Sequence, residues 1–144
     1  MTTAKEKISV ITGVIGIDCH IVGTSLVSYA LTQAGFKVVR LGACVSQQEF
    51  INAAIETNAR AIMISSIYGM AAMDAEGLRG KCIESGLSHI LLYLGGLLTP
   101  VKEKWEDTER RFKEMGFNRV YPPGTLPQMA IDDFKEDLGS VDQA

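Results

Sequence analysis

Short runs of apolar, often β-branched residues alternate with helix-like segments five times along this chain. That alternation limits the possible folds more than any other feature. Residues 8–15 read as a buried strand, and 37–41, 61–64, 90–94 and 119–121 as four more. Residues 24–34 read as a helix with Leu26, Val27, Ala30 and Leu31 on one face and Gly35 as its stop. Ser46 with Glu49 three residues on is a capping box, opening a helix whose apolar face is Phe50, Ile51, Ala54 and Ile55. Further helices are predicted over 74–84, 101–115 and 127–138, with a polar tail over 139–144. Strands alternating with helices of about 10–15 residues imply parallel pairing and right-handed crossovers. The continuously apolar strands suit a sheet buried on both faces. The expected fold is α/β, a flavodoxin-like (Rossmann-like) doubly wound sheet of five parallel strands in the order 2-1-3-4-5.

Length and composition narrow the function classes. A chain of 144 residues is expected to form one domain, with a core over about 8–138. Its 47% hydrophobic content excludes a disordered chain. The net charge of −3 advertises no basic face, so no nucleic-acid partner is expected. The three cysteines, Cys19, Cys44 and Cys82, form no CxxC pair, which argues against a disulfide framework or a zinc cluster. Reduced thiols and a cytoplasmic location are expected. No signal peptide is read at the N-terminus, and no run of about 20 apolar residues predicts a membrane span.

In sheets of this order, ligands bind beyond the carboxyl ends of the strands, where the order reverses. The chemistry-bearing residues cluster there. The first strand is followed by Asp18-Cys19-His20-Ile21-Val22-Gly23, the third by Ser65-Ser66-Ile67-Tyr68-Gly69, the fourth by Gly95-Gly96 and the fifth by Tyr121-Pro122-Pro123-Gly124-Thr125. Asp18 and His20 are two apart, so in an extended loop they point the same way. The carboxylate can then fix the imidazole tautomer and raise the basicity of the other ring nitrogen. One histidine and one aspartate are too few for a protein-held zinc ion. They are enough for a metal that arrives in an equatorial macrocycle and needs one axial ligand. An ordinary loop histidine bonded to a turn aspartate is the plainer reading of these two residues alone. Cys19 alternates away from His20. Ser66 points opposite to Ser65 and reads as structural. His89 has no carboxylate beside it in sequence, Trp105 reads as a half-buried anchor, and 102–113 as a solvated, mixed-charge helix face.

Taken together, Asp-x-His-x-x-Gly, Ser-x-[hydrophobic] and Gly-Gly resemble the signature of cobalamin-binding domains that hold the cofactor with its own base displaced. The likeness is greatest to the small (sigma) subunits of glutamate mutases, also called methylaspartate mutases. It runs over about 8–138 and includes Gly13 to His20, Ser65 to Gly69 and Gly116 to Tyr121. The family usually has Leu where this chain has Ile67, a swap that keeps volume and apolarity. The resemblance implies that His20 is the lower axial ligand of cobalt and that Asp18 hydrogen-bonds it. It implies that Gly23 lets a helix start beside the buried nucleotide tail. Ser65 would bond the displaced dimethylbenzimidazole and Ile67 would pack on it. Gly95 and Gly96 would make room for the tail, and Tyr121, Pro122, Gly124 and Thr125 would line its far end. Cys19, Ile21, Val22, Ser66 and Tyr68 belong to the same loops and are candidate contacts.

The resemblance also implies a reaction, the interconversion of L-glutamate and threo-3-methylaspartate by radical carbon-skeleton rearrangement with adenosylcobalamin. This chain lacks the roughly 250 residues of a TIM barrel. It is therefore expected to be the cofactor-holding component of an isomerase and to need a large (epsilon) barrel subunit, two small with two large. The main alternative is a corrinoid carrier of a methyltransferase system, which shares Asp-x-His-x-x-Gly but usually follows a helical cap, and only about 17 residues precede Asp18 here. A response-regulator receiver needs an aspartate where Ser65 stands. A flavodoxin needs a Ser/Thr/Gly-rich phosphate loop where Ile17 to Ile21 stand.

Overall fold

The computed structural model describes residues 6–142. In chain order its elements are β1 (Ser9–Val14), α1 (Val22–Gln33), β2 (Lys37–Arg40), α2 (Gln47–Thr57), β3 (Ala61–Ser65), α3 (Ala71–Asp74), α4 (Leu78–Glu84), β4 (Leu91–Gly95), α5 (Trp105–Glu114), β5 (Arg119–Tyr121) and α6 (Pro127–Asp142). The strands form one sheet, every pairing parallel, in the order β2-β1-β3-β4-β5. This is the expected order, and it reverses between β1 and β3. In register, Val14 lies opposite Ser65 and Ser65 opposite Gly95, so the three strands end level.

Side-chain alternation splits the core in two. Ile11, Ile62 and Leu92 pack with Phe50 of α2 and Phe112 of α5 on one face. Val10, Met63 and Tyr93 pack with Leu31 of α1 and with Ile131 and Phe134 of α6 on the other. Gly13 faces Phe50 closely: a Cβ there would lie 3.0 Å from its ring, which would have to give way slightly. The buried hydroxyl of Thr12 is not wasted, since Ser28 Oγ donates to Thr24 O at 2.7 Å and thus accepts from Thr12 Oγ1 at 2.8 Å. The capping box on α2 forms as read: Ser46 Oγ accepts from Glu49 N–H and Glu49 Oε1 from Ser46 N–H, both at 3.2 Å.

Four helix boundaries differ from the expectation. α1 starts at Val22 rather than 24, because its N-cap is Ile21, which carries no capping side chain to mark the start. The predicted helix 74–84 is broken: α3 ends at Asp74, and α4 restarts after Gly77, whose φ of +77° is a left-handed turn. The predicted helix 101–115 starts at Trp105, where Glu106 and Asp107 favour an N-terminus and 101–104 are exposed. The residues read as a polar tail are helical through 142, since Gly139 is tolerated inside α6; 143–144 lie outside the described residues.

Two substitutions separate packing from capping. Phe50→Ala is expected to cost about 3–5 kcal/mol of unfolding free energy, and Ser46→Ala about 1 kcal/mol. Guanidinium unfolding of both variants checks the ranking.

Candidate functional site

Three chain segments meet above the ends of β1 and β3. Asp18 is almost fully buried, at 2% exposure, and both its carboxylate oxygens accept hydrogen bonds. Oδ1 accepts from His20 N–H at 3.0 Å and from His20 Nδ1 at 2.6 Å. Oδ2 accepts from Ile67 N–H, on the loop after β3, at 2.8 Å. The Asp18 carbonyl accepts from Cys44 N–H at 3.1 Å. Burial would raise the Asp18 pKa, but the hydrogen bonds from Ile67 and His20 outweigh it and hold the carboxyl below its ordinary value. An ionised carboxylate only accepts, so Nδ1 of His20 carries the proton. In the neutral imidazole the lone pair then sits on Nε2. The His20 side chain is 60% exposed, and Nε2 has no hydrogen-bond partner among the described residues.

Beside this loop lies a mainly apolar cavity of about 450 Å³. It is wedged between α1 and α6, over the ends of β3, β4 and β5. Gly23 opens the α1 wall, and Ser65 and Ile67 form the edge shared with the Asp18 loop. A Cβ at Gly23 would sit 4.0 Å from Ser65 Oγ, so the glycine leaves that hydroxyl facing open space. Gly95 and Gly96 form the floor. Gly96 has φ +123°, and a Cβ there would run into the carbonyl of Ser66. Tyr121, Pro122, Gly124 and Thr125 close the far end, where Thr125 Oγ1 and N–H both donate to Pro122 O.

Other candidates lie apart from the cavity. Cys19, Ile21 and Val22 are exposed on the loop or the first turn of α1. Ser66 is fully buried on the opposite side of β3 from Ser65, and its Oγ has no partner. Tyr68 donates its hydroxyl to Asp74 Oδ2, and burial and that carboxylate raise its pKa. Sequence reasoning missed Leu26 and Val27 of α1 and Pro127 and Ala130 of α6, which make the two side walls. It also missed Tyr93, whose ring joins that of Tyr121 with centroids 6.1 Å apart. The one sequence signal for the α1 wall is that Gly23, Leu26 and Val27 sit at helical spacing, i, i+3 and i+4.

These walls are braced by a polar network. Tyr121 hydroxyl donates to Asp133 Oδ2 at 2.7 Å, and Tyr93 hydroxyl to Asp137 Oδ2. Arg119 grips Asp137 with two bonds, Nε to Oδ2 at 3.1 Å and Nη2 to Oδ1 at 2.8 Å. Burial raises both tyrosine pKa values, as does the carboxylate each one faces. Burial opposes ionisation of Asp137, but Arg119 and Tyr93 hold it below its ordinary value.

Residues 8–115 match the family profile of the B12 binding domain. The chain is 53% identical over 133 residues to the glutamate mutase sigma subunit of Clostridium tetani, covering 92% of this chain and 97% of that one. It is 54% identical over 135 residues to the glutamate mutase sigma subunit of Fusobacterium nucleatum, covering 94% and 98%. The chain belongs to the B12-binding family of glutamate mutase sigma subunits. Among solved structures, a cobalamin-binding protein from Desulfitobacterium hafniense shares the fold at TM-score 0.74 and 17% identity, over 92% of this chain and 60% of that longer one. The receiver domain of a response regulator, NarL of Mycobacterium tuberculosis, shares it at TM-score 0.63 and 16% identity, over 92% and 98%. The fold is thus common to both. No helix among the described residues is long and apolar enough to cross a membrane.

The network makes a pH prediction. A carboxyl with a depressed native pKa adds stability above its unfolded value, and that stability is lost as pH falls through the native value. Wild type is therefore expected to exceed Asp137→Asn by about 1–2 kcal/mol above pH 5. The gap should close steadily below about pH 4. Urea unfolding across that range checks it.

Proposed function

We propose that this chain is the cofactor-holding subunit of an adenosylcobalamin-dependent glutamate mutase, with His20 as the lower axial ligand of cobalt. The observation that carries the proposal is the His20 imidazole, held by buried Asp18 with Nε2 free, beside an apolar cavity. A single neutral nitrogen suits a metal that brings its other ligands with it. A cavity of about 450 Å³ falls within the size range of small-molecule sites. Its apolar walls and the free Ser65 hydroxyl suit a flat heteroaromatic base on a nucleotide tail. The residues present therefore fit the group.

When bound, adenosylcobalamin supplies the radical, by homolysis of its cobalt–carbon bond, for interconverting L-glutamate and threo-3-methylaspartate. The chain's own residues bind and orient. Asp18 fixes the tautomer of His20 and keeps its ring from turning. Ile67 ties that aspartate to the cavity edge, so ligand and pocket move as one body. Ser65 donates to or accepts from the displaced base, and Ile67 packs on it. Gly95 and Gly96 keep the floor free of side chains. Tyr121, Pro122, Gly124 and Thr125 close the tail's far end. Cys19 is not a ligand, and Tyr68 is tied to Asp74 outside the cavity. Ile17 and Val22, 82% and 73% exposed, flank His20 with apolar surface for the corrin ring and a partner to cover. That partner is a large (epsilon) TIM-barrel subunit carrying the substrate site, two of each chain in the assembly, working in the cytoplasm.

Reconstitution tests the proposal. With a glutamate mutase large subunit and adenosylcobalamin, this chain should convert glutamate to methylaspartate, and neither protein should do so alone. Asp18→Ala should weaken the apparent cofactor affinity about 10–100-fold. Full turnover by the large subunit without this chain would sink the proposal, as would unchanged cofactor affinity in Asp18→Ala.

A further inference from the structure

The side chains that wall the far end of the cavity are also those that bind the sheet to α6. Tyr93 and Tyr121 present their rings to the cavity and their hydroxyls to Asp137 and Asp133. Between them, Arg119 grips Asp137 in a fork and lies 3.7 Å from Asp133. The spacing explains the convergence. Arg119 and Tyr121 alternate onto one side of β5. Asp133 and Asp137 are four apart, on one face of α6. One and two turns earlier on the same helix, Ala130 and Pro127 face the cavity. The position of α6 against β4 and β5 therefore sets how wide the wedge is. The fork is only partly open to water, with Arg119 31% and Asp137 18% exposed. A planar guanidinium holding a carboxylate by two bonds fixes distance and angle together.

We propose that Arg119, acting through Asp133 and Asp137, is a positioning residue for the cofactor's nucleotide tail: it fixes α6 at the spacing the tail pocket needs. The inference rests on the function proposed above. It assigns nothing to Arg119 at the cobalt end, since the axial ligand sits on the loop after β1. It therefore separates two parts of one ligand, the corrin ring on His20 and the tail in the wedge.

The test titrates the whole chain, by absorbance, with aquocobalamin and with aquocobinamide, which keeps the corrin ring and lacks the nucleotide tail. Arg119→Lys keeps the charge and loses the fork. It is expected to weaken aquocobalamin binding about tenfold and to leave aquocobinamide binding unchanged. Tyr121→Phe keeps the ring, loses the bond to Asp133 and should shift the same selectivity less. It reads the clamp on its own if Arg119→Lys does not fold. A brace of purely structural value would lower both affinities alike, and that result, or no change in either, overturns the proposal. His20→Ala reports on the underlying function separately, because it should weaken both ligands. If wild type binds the two ligands equally, or if His20→Ala weakens neither, the proposed function fails and the clamp falls with it.

Discussion

The site depends on one buried carboxylate. Asp18 collects N–H donors from its own loop and from the loop after β3. Removing it would leave Ile67 N–H without its acceptor and the imidazole free to turn. A carboxylate this buried is tolerable only when its lone pairs are used. Here they are used by two loops that sequence separates by some fifty residues. The same interaction that stabilises the charge thus fixes the geometry of His20 against the cavity edge.

The sheet order makes that meeting possible. Because β1 and β3 are neighbours and end level, the loops after them begin side by side. The chain leaves these strands toward opposite layers: after β1 it enters α1, on the face that carries α6, and after β3 it enters α3 and α4, on the face that α2 and α5 also cover. The wedge between α1 and α6 is the natural opening in that arrangement. Its floor is glycine, where β4 ends at Gly95 and Gly96 turns under the Ser66 carbonyl.

The strands and their order were legible in the sequence because a doubly covered parallel sheet imposes continuous apolar runs. Asp18 and His20 were legible because their interaction is local, two residues apart. Helix ends were less so. Ile21 gives no cap signal, and Gly139 looks like a stop but sits inside α6. The side walls of the cavity were not legible. Val27 and Ala130 have the pattern of ordinary core residues, and only the packing of α1 against α6 leaves space beside them. The clamp was hidden for a related reason, since Arg119 meets Asp137 only once β5 and α6 are stacked. Ser66 and Tyr68 entered the candidate set through adjacency to Ser65. The pleat turns Ser66 to the other face, and Asp74 draws Tyr68 away from the cavity.

The central claim is that His20 supplies the nitrogen below cobalt. The most direct measurement is the electron paramagnetic resonance spectrum of cobalt(II) cobalamin bound to this chain, prepared with ordinary and with nitrogen-15-labelled histidine. One bound imidazole nitrogen splits each cobalt line into a triplet, and the label should turn the triplets into doublets. Triplets that persist in the labelled protein would place another nitrogen, such as the cofactor's own base, below the metal and contradict the account.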